Sequence, residues 1–446
     1  MQKKLFVSTL PYLLIFLACL LVYIPVVTFD FQRGWDDGWM VKNHYTILGF
    51  TPENLKAVFT EFHVAQYGPV NEIIYMAIFS IFGYDPVAYH LYPLLLHILN
   101  SCMVLLLIRK VIDGRTDATT AHNVAFLTAA LFAVHPLQVE SIAWISASKI
   151  PLYTFFVLLA MLAYIRYIRT GKIFFYVIAF LLFVCAFGSK EQCIVLPATL
   201  FLLDWALGRT SFACGEKPED SSVAKESWSY LVLEKLPFIL FALFGGLVTY
   251  ANQSAGVIER WAGYSFGQRM VFACYSIVEY FGKMALPVNL LHLYPFPIAP
   301  GKALPVHFFV YPFIIAATVI FLVKIIKRRH WPVVFGLLFF LINMALMLHV
   351  ISMSRFSVIA DRYVYLGCTG IFFVVTWYGV LWLRKKTDAT RKWTIVAAVC
   401  YLFYLGIYAH FRTYVWKDSG TLKKEFRELI DEDLLKQNRI QNHEDQ

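Results

Sequence analysis

The sequence predicts an all-α polytopic membrane protein. Three observations carry that prediction. The chain is 59% hydrophobic and only 15% charged, with a mean hydropathy of +0.62, whereas soluble domains are nearer a quarter charged. Apolar runs of about 18 or more residues recur along it, each long enough to cross the hydrocarbon core as a helix. The basic residues fall in short clusters between those runs, where the positive-inside rule puts them. The net charge of +10 therefore reads as membrane topology and not as nucleic-acid binding. The sequence shows no barrel-type alternation.

Met1 to Lys4 followed by the apolar run Leu5 to Val27 is too long for a signal peptide and lacks a small-residue cleavage site. It reads as an uncleaved first helix with a cytoplasmic N-terminus. Further spans are expected near 87–108, 122–136, 150–167, 173–188, 191–208, 231–251, 307–326, 331–351, 361–383 and 392–410, about eleven in all. Several are short, as befits helices that stop at a cavity mouth. Lys3-Lys4, Arg109-Lys110 with Arg115, Arg166 to Lys172, Arg209 to Lys235, Lys324 to Arg329 and Arg384 to Lys392 then share the cytoplasmic side. That holds only if 269–287 does not cross. Arg269, Glu279 and Lys283 would be costly at the bilayer centre, so this stretch is expected to be an interfacial or re-entrant helix.

Two large outer segments follow from this layout, 28–86 and 252–306. In the first, Thr51 is a candidate N-cap with Pro52 at the first helical position. A helix is expected from there to about His63, and another over Val70 to Phe82, both on the membrane surface. The odd number of crossings places the C-terminus outside. The transmembrane domain is drawn as 1–410 and a short amphipathic tail as 411–446, with Leu422, Phe426, Leu429, Ile430 and Leu434 on one face. No 34-residue periodicity is present. The eight cysteines are scattered without zinc or disulfide spacing. Cys185 and Cys193 could meet, but they read as a pair of buried thiols.

The polar residues of interest gather on the outer side: Asp36-Asp37, His135 to Glu140, Lys149, Gly188 to Gln192 and Arg355 to Tyr363. Ionisable groups at such depth are functional candidates. Adjacent carboxylates repel, so one holds its proton more tightly and can serve as a general base toward a hydroxyl. Lys149, Lys190, Arg355 and Arg362 could bind a phosphate through charge-assisted hydrogen bonds. Trp35, Trp39 and Tyr67 offer flat faces for a sugar. The plainer readings stand beside these. An Asp-Asp pair in a loop is usually solvated, and His135-Pro136 can simply cap a helix. Lys190 and Arg362 can anchor at the interface by snorkelling. Glu191 beside Lys190, and Asp361 beside Arg362, can be local ion pairs. His90 and His97 share a segment but have no third ligand, which favours a structural role over a metal.

Several blocks resemble a known family. They are Tyr67 to Tyr75 (YGPVNEIIY), Phe82 to Asn100, the run LFAVHPLQVESIAWISASK ending at Lys149, GSKEQCIVLPATLFLLDW from Gly188, ADRYVYL from Ala360, and RTYVWKDSGTL from Arg412. Over roughly 28–425 the chain resembles the membrane half of the transmembrane and tetratricopeptide-repeat-containing O-mannosyltransferases. These belong to the GT-C superfamily of polyprenyl-phosphate-sugar-dependent glycosyltransferases. The resemblance implies a GT-C fold and an inverting transfer of a sugar, possibly mannose, to a hydroxyl on a protein or glycolipid at the outer face.

It also implies catalytic Asp36 and Asp37, with Asp37 favoured as the base. Lys190 and Arg362, with Lys149 and Arg355, fall at the donor phosphate. His135, Glu140, Tyr363 and Trp35 support the site. A lipid monophosphate can be neutralised by Lys and Arg, so no cofactor is implied, although a divalent metal is compatible. The short N-terminus and missing repeats suggest a bacterial inner-membrane protein facing the periplasm. A transporter or flippase of lipid-linked sugar ranks lower, because no inverted repeat is visible. A non-catalytic envelope scaffold also ranks lower, because the Asp pair and the cations are intact.

Overall fold

A computed structural model describes residues 2–64, 66–210, 223–254, 264–327, 330–350 and 357–428. Among these the chain is helical, with only isolated bridges in place of strands. The first helix, α1 (Gln2–Tyr23), leads into the first large loop, which carries α2 (Pro52–Thr60) and α3 (Pro69–Phe82). Then come α4 (Pro86–Val111), α5 (Ala118–Val134), the short α6 (Val139–Ala143) and α7 (Lys149–Thr170). After α8 (Ile173–Phe187), α9 (Leu196–Ala206) and α10 (Trp228–Ser254), α11 (Phe266–Ala285) lies in the second large loop. The chain finishes with α12 (Val310–Lys327), α13 (Trp331–Met344), α14 (Cys368–Arg384), α15 (Asp388–Thr413) and α16 (419–428).

The helix starts follow from local chemistry. A side-chain oxygen at each N-cap satisfies an amide that the helix leaves unpaired. Thr51 accepts from the Asn54 N–H at 3.1 Å, with Pro52 next in the chain, as the sequence predicts. Asp85, Asp117 and Thr387 do the same for α4, α5 and α15. Ser265 and Gln268 form a reciprocal capping box on α11. Gly171 ends α7 with φ +64°, a conformation that favours glycine.

Among the described residues, six helical stretches are long and apolar enough to cross a membrane: Thr9–Thr28, Pro86–Val111, Ile145–Thr170, Trp228–Asn252, Val306–Lys324 and Asp388–Trp416. Ala118–Val134 with Pro136–Ala143 makes a seventh, bent by 55°. The other expected spans are shorter helices. The segment expected at 191–208 opens as a 3-10 turn, Glu191–Val195, before α9. The segment expected at 361–383 opens as a 3-10 turn, Asp361–Val364, before α14. The 122–136 helix breaks at His135, because Pro136 carries no N–H with which to continue it. The expected interfacial segment 269–287 is α11. The boundary drawn at 410 falls inside α15, which runs on to Thr413.

Burial sorts these helices. Ile145–Thr170 is 72% buried within the protein, whereas Asp388–Trp416 is 11% and Val306–Lys324 only 6% buried. So α7 is the central post, and α12 and α15 present apolar surface outward, as lipid-facing helices do. Around the post, Asn100 on α4 donates to Pro151 O at 2.8 Å. His97 bridges Tyr365 OH at 2.8 Å and Ala133 O at 3.0 Å, the structural role expected of it. Where α13 crosses α14, a Cβ on Gly336 would sit 2.3 Å from Gly370 O, so only glycine permits that approach. Cys193 is buried and Cys185 half-buried, and both are free thiols.

The bundle has two chemically distinct ends. At one, Arg169 pairs with Asp113 at 2.9 Å, Arg384 pairs with Asp117, and Arg115 lies 4.1 Å from the Trp331 ring. Arg209 bonds Glu234 at 2.7 Å, and Lys235 pairs with Asp204 in a buried network closed by Tyr164. These contacts gather at one end several of the basic clusters that the sequence assigned to one face. The 22-residue α7 ends there, and at about 1.5 Å per residue its Lys149 lies roughly 33 Å away at the other end.

Candidate functional site

The end of the bundle at Lys149 collects the polar blocks singled out in the sequence. The loop Gly188-Ser189-Lys190 is seated directly on the first large loop. Val70 N–H donates to Gly188 O at 2.9 Å, and Gly68 packs against Ser189 O. Gly188 is required at this contact, since a Cβ there would lie 2.8 Å from Val70 Cγ2.

The two aspartates have different surroundings. Asp37 is fully buried. Its Oδ1 accepts from the Ser146 N–H at 3.0 Å and from the Ser146 hydroxyl, and its Oδ2 accepts from the Gln32 N–H at 2.8 Å. Burial pushes its carboxyl up to about 6, and the Ser146 and Gln32 donors hold back part of that rise. Asp36 is half-exposed and accepts from Trp39 Nε1 at 3.1 Å. The preference for Asp37 as base runs against this geometry. Asp37 is committed to fixing the loop onto the turn before Lys149, and Asp36 is the accessible carboxylate.

Lys149 and Arg362 lie within electrostatic reach of Asp36, and Lys190 within reach of Lys149. Lys149 lies within electrostatic reach of Lys190, Asp36, Glu191 and Arg362, and its Nζ donates to Gln66 Oε1. Lys190 is 3.5 Å from Glu191, the local pair foreseen in the sequence. Arg362 is held by Glu140. Its backbone N–H donates to Glu140 Oε2 at 2.9 Å and its guanidinium pairs with Oε1. The Arg362 guanidinium also lies 5.0 Å from the Tyr363 ring and 5.3 Å from the Trp144 ring. Trp144 stacks on Trp416 at 5.2 Å, and Trp35 meets Trp144 edge-on at 6.4 Å. Glu140, Tyr363 and Trp35 thus border Arg362 or its aromatic wall. Arg355 lies outside the described residues.

His135 has a different place. Its Nδ1 accepts from the Leu137 N–H at 3.2 Å and its Nε2 bonds Met284 O at 3.2 Å. It caps the turn at the α5 break, with both ring nitrogens occupied, as the plainer reading of His-Pro has it. Asp361 does not pair locally with Arg362. It accepts from Tyr294 OH at 2.8 Å, and burial, then the neighbouring Glu140, raises its carboxyl.

The sequence reading missed the last contributor, the segment after α15. Asp30 N–H donates to Lys417 O at 3.0 Å, Gln32 Nε2 to Trp416 O at 2.6 Å, and Ser419 Oγ to Arg33 O at 2.9 Å. Glu425 on α16 bonds His292 at 2.7 Å and pairs with Arg412. What reads as a tail is therefore a brace under the loop bearing Asp36-Asp37. Leu422 is buried as the amphipathic pattern predicts, while Leu429, Ile430 and Leu434 lie outside the described residues. Ser146 and Trp144 stand in the quoted AWIS block, but nothing in their residue types announced a bond to Asp37 or a wall beside Arg362.

The fold and this site define an all-α membrane protein with a charged, aromatic-lined pocket region at one end. No protein-family model matches the chain, and no curated protein matches it. Among solved structures it is similar to the apo oligosaccharyltransferase of Archaeoglobus fulgidus. The TM-score is 0.48 and the identity 14%, over 92% of this chain and 56% of that one. The chain thus spans a little over half the length of that protein.

Proposed function

We propose that this protein is a membrane glycosyltransferase of GT-C type. It moves a sugar, mannose in the family it resembles, from a polyprenyl-phosphate donor to a hydroxyl of a protein or glycolipid. The reaction takes place at the outer face, which is the periplasmic face of a bacterial inner membrane. The observation that carries this reading is one half-exposed carboxylate, Asp36, sharing a local field with Lys149, Lys190 and Arg362.

The chemistry follows from those groups. The acceptor oxygen attacks the anomeric carbon from the side opposite the phosphate. As the new C–O bond forms, the bond to the phosphate oxygen breaks and the configuration inverts. The acceptor proton passes to Asp36, a general-base step contributing about 10²–10⁴-fold. The phosphate leaves with the lipid, its charge met by the Lys and Arg side chains in a setting where water screens little. Glu140 holds the Arg362 guanidinium in one orientation, and Trp35 offers the sugar a flat face.

The test is transfer by the purified protein in lipid nanodiscs. It is supplied with polyprenyl-phosphate mannose and a panel of Ser/Thr peptides and glycolipids, and mass spectrometry of the products reads the outcome. A mannosylated product that disappears with Asp36→Asn supports the reading. If no acceptor is glycosylated while the intact protein, reconstituted in sealed liposomes, moves the lipid-linked sugar across the bilayer, the transporter reading replaces it.

A further inference from the structure

Beside the Lys149 cleft lies a cluster that the sequence reading passed over. His44, His63 and Glu72 each turn a ligand atom inward, and these atoms all lie within 4.8 Å of one another. His44 Nε2 and His63 Nε2 are each 3.8 Å from Glu72 Oε2, too far for hydrogen bonds. His63 Nε2 is buried without a hydrogen-bond partner, a state that native structures seldom leave unexplained.

The proton count sharpens this. Thr46 Oγ1 lies 2.7 Å from His44 Nδ1 and 3.2 Å from Glu72 Oε2. The hydroxyl has one proton, and with Glu72 ionised, as a metal ligand is, the carboxylate takes it because it can only accept. Thr46 must then accept from His44 Nδ1–H, which leaves the lone pair of His44 on Nε2, facing the cluster. An imidazole nitrogen and a carboxylate oxygen converge at 3.8 Å, next to a second buried ring nitrogen. Such an arrangement, with an outer hydroxyl fixing the tautomer of a ligating histidine, is how metal sites are built.

We infer that His44 Nε2, His63 Nε2 and Glu72 bind a divalent cation of the zinc class. Two imidazoles and a carboxylate suit zinc and leave a fourth position. That position opens on the cleft lined by Trp39, Gln66, Tyr67, Asn71 and Lys149. Zinc ligands at about 2.0–2.2 Å lie roughly 3.3–3.5 Å apart in a tetrahedron. The side chains here need close by no more than about 1.5 Å at the widest pair. The three ligands come from the 3-10 turn around Tyr45–Leu48, the His63–Gln66 turn and α3. A bound ion therefore pins the outer loop at three points. Val64, next to His63, is held at φ +50°, a strained value for a β-branched residue. The site does not depend on the transferase reading.

The experiment uses the full chain in nanodiscs, purified on a non-histidine tag and stripped with a chelator. Zinc chloride is titrated in with a competing chromophoric chelator, and cobalt(II) is added separately. We expect about one equivalent of zinc and the visible absorption bands of four-coordinate cobalt. Thr46→Val, which keeps all three ligands and removes only the hydroxyl that orients His44 and Glu72, should weaken zinc binding about 10–100-fold. His63→Gln and Glu72→Gln should abolish the tight equivalent, with size-exclusion profiles reporting that the variants remain folded. A wild-type protein that holds no stoichiometric zinc and gives no four-coordinate cobalt spectrum overturns the site. So does a folded His44→Ala/His63→Gln/Glu72→Gln triple variant that keeps the equivalent.

Discussion

Asp37 and Ser146, far apart in sequence, are joined twice, since both the amide and the hydroxyl of Ser146 donate to one oxygen of Asp37. This pairing separates the two aspartates into different tasks. Asp36→Asn should lower transfer by at least about 100-fold with the melting temperature unchanged. Asp37→Asn puts an amide NH2 against donors it cannot accept from. It should destabilise the fold by about 1–3 kcal/mol and lower activity as a consequence. Thermal melts beside initial rates distinguish the two. Equal melting shifts in both variants would contradict the division.

The same buried carboxyl gives a pH dependence. Its folded pKa, about 6, lies above the ordinary Asp value of 3.8. Between those values the folded chain binds more protons than the unfolded one, so stability falls as the pH rises through that window. The margin of the wild type over Asp37→Asn should therefore narrow from about pH 4 to about pH 6 and then level off. A margin that widens over that range would show the carboxyl to be better paired than buried.

Glu140 acts through Arg362. Glu140→Gln removes the charge that aligns the guanidinium while keeping the shape of the side chain. The expected outcome is a higher KM for the lipid donor and a smaller change in kcat. Arg362→Lys should not rescue binding, because a lysine lacks the planar guanidinium that pairs with Glu140 Oε1 while leaving further N–H groups for a phosphate. A change confined to kcat would instead assign Glu140 to the chemical step.

The contact between Gly188 and Val70 allows a compensation test. Gly188→Ala forces a methyl to within 2.8 Å of Val70 Cγ2 and should cost about 1–3 kcal/mol through overpacking. Val70→Ala in the same chain should recover much of that loss, together with the transfer rate. Additive losses in the double variant would mean that the loop yields in some other way.

At the far end of the bundle, Lys235→Met takes one of two cations from buried Asp204 and leaves it Arg209, at 3.1 Å, and the Tyr164 hydroxyl. The loss should be smaller than the roughly 3–5 kcal/mol of a buried ion pair left with no partner, because Arg209 still meets both carboxylates. Any protein that still folds should keep a normal KM, because the site is at the opposite end of α7. A selective rise in KM would tie this network to the donor.

Much of this arrangement was legible in the sequence because membrane chemistry is strict. Lys149, Lys190 and Arg362 stood out as cations away from the basic face, and Thr51-Pro52 announced a helix start. Other features carried no local signal. Neighbouring aspartates look alike until a serine from another helix chooses between them. His44, His63 and Glu72 show no ligand spacing, because three separate elements bring them together. Glu191 and Asp361 open 3-10 turns where an unbroken apolar count suggested helix, since hydropathy reports burial and not backbone pitch.

The brace formed by Lys417, Trp416 and Ser419 has a consequence for how the protein is made. The loop carrying Asp36 leaves the ribosome well before its partners, which follow it by 384 and 386 residues. A chain still under synthesis therefore holds the aspartate pair without its support. The pair gains its support only when the segment after α15 has docked and Glu425 on α16 has met His292, so under the proposed reading a product cut before Trp416 should be mute rather than partly active.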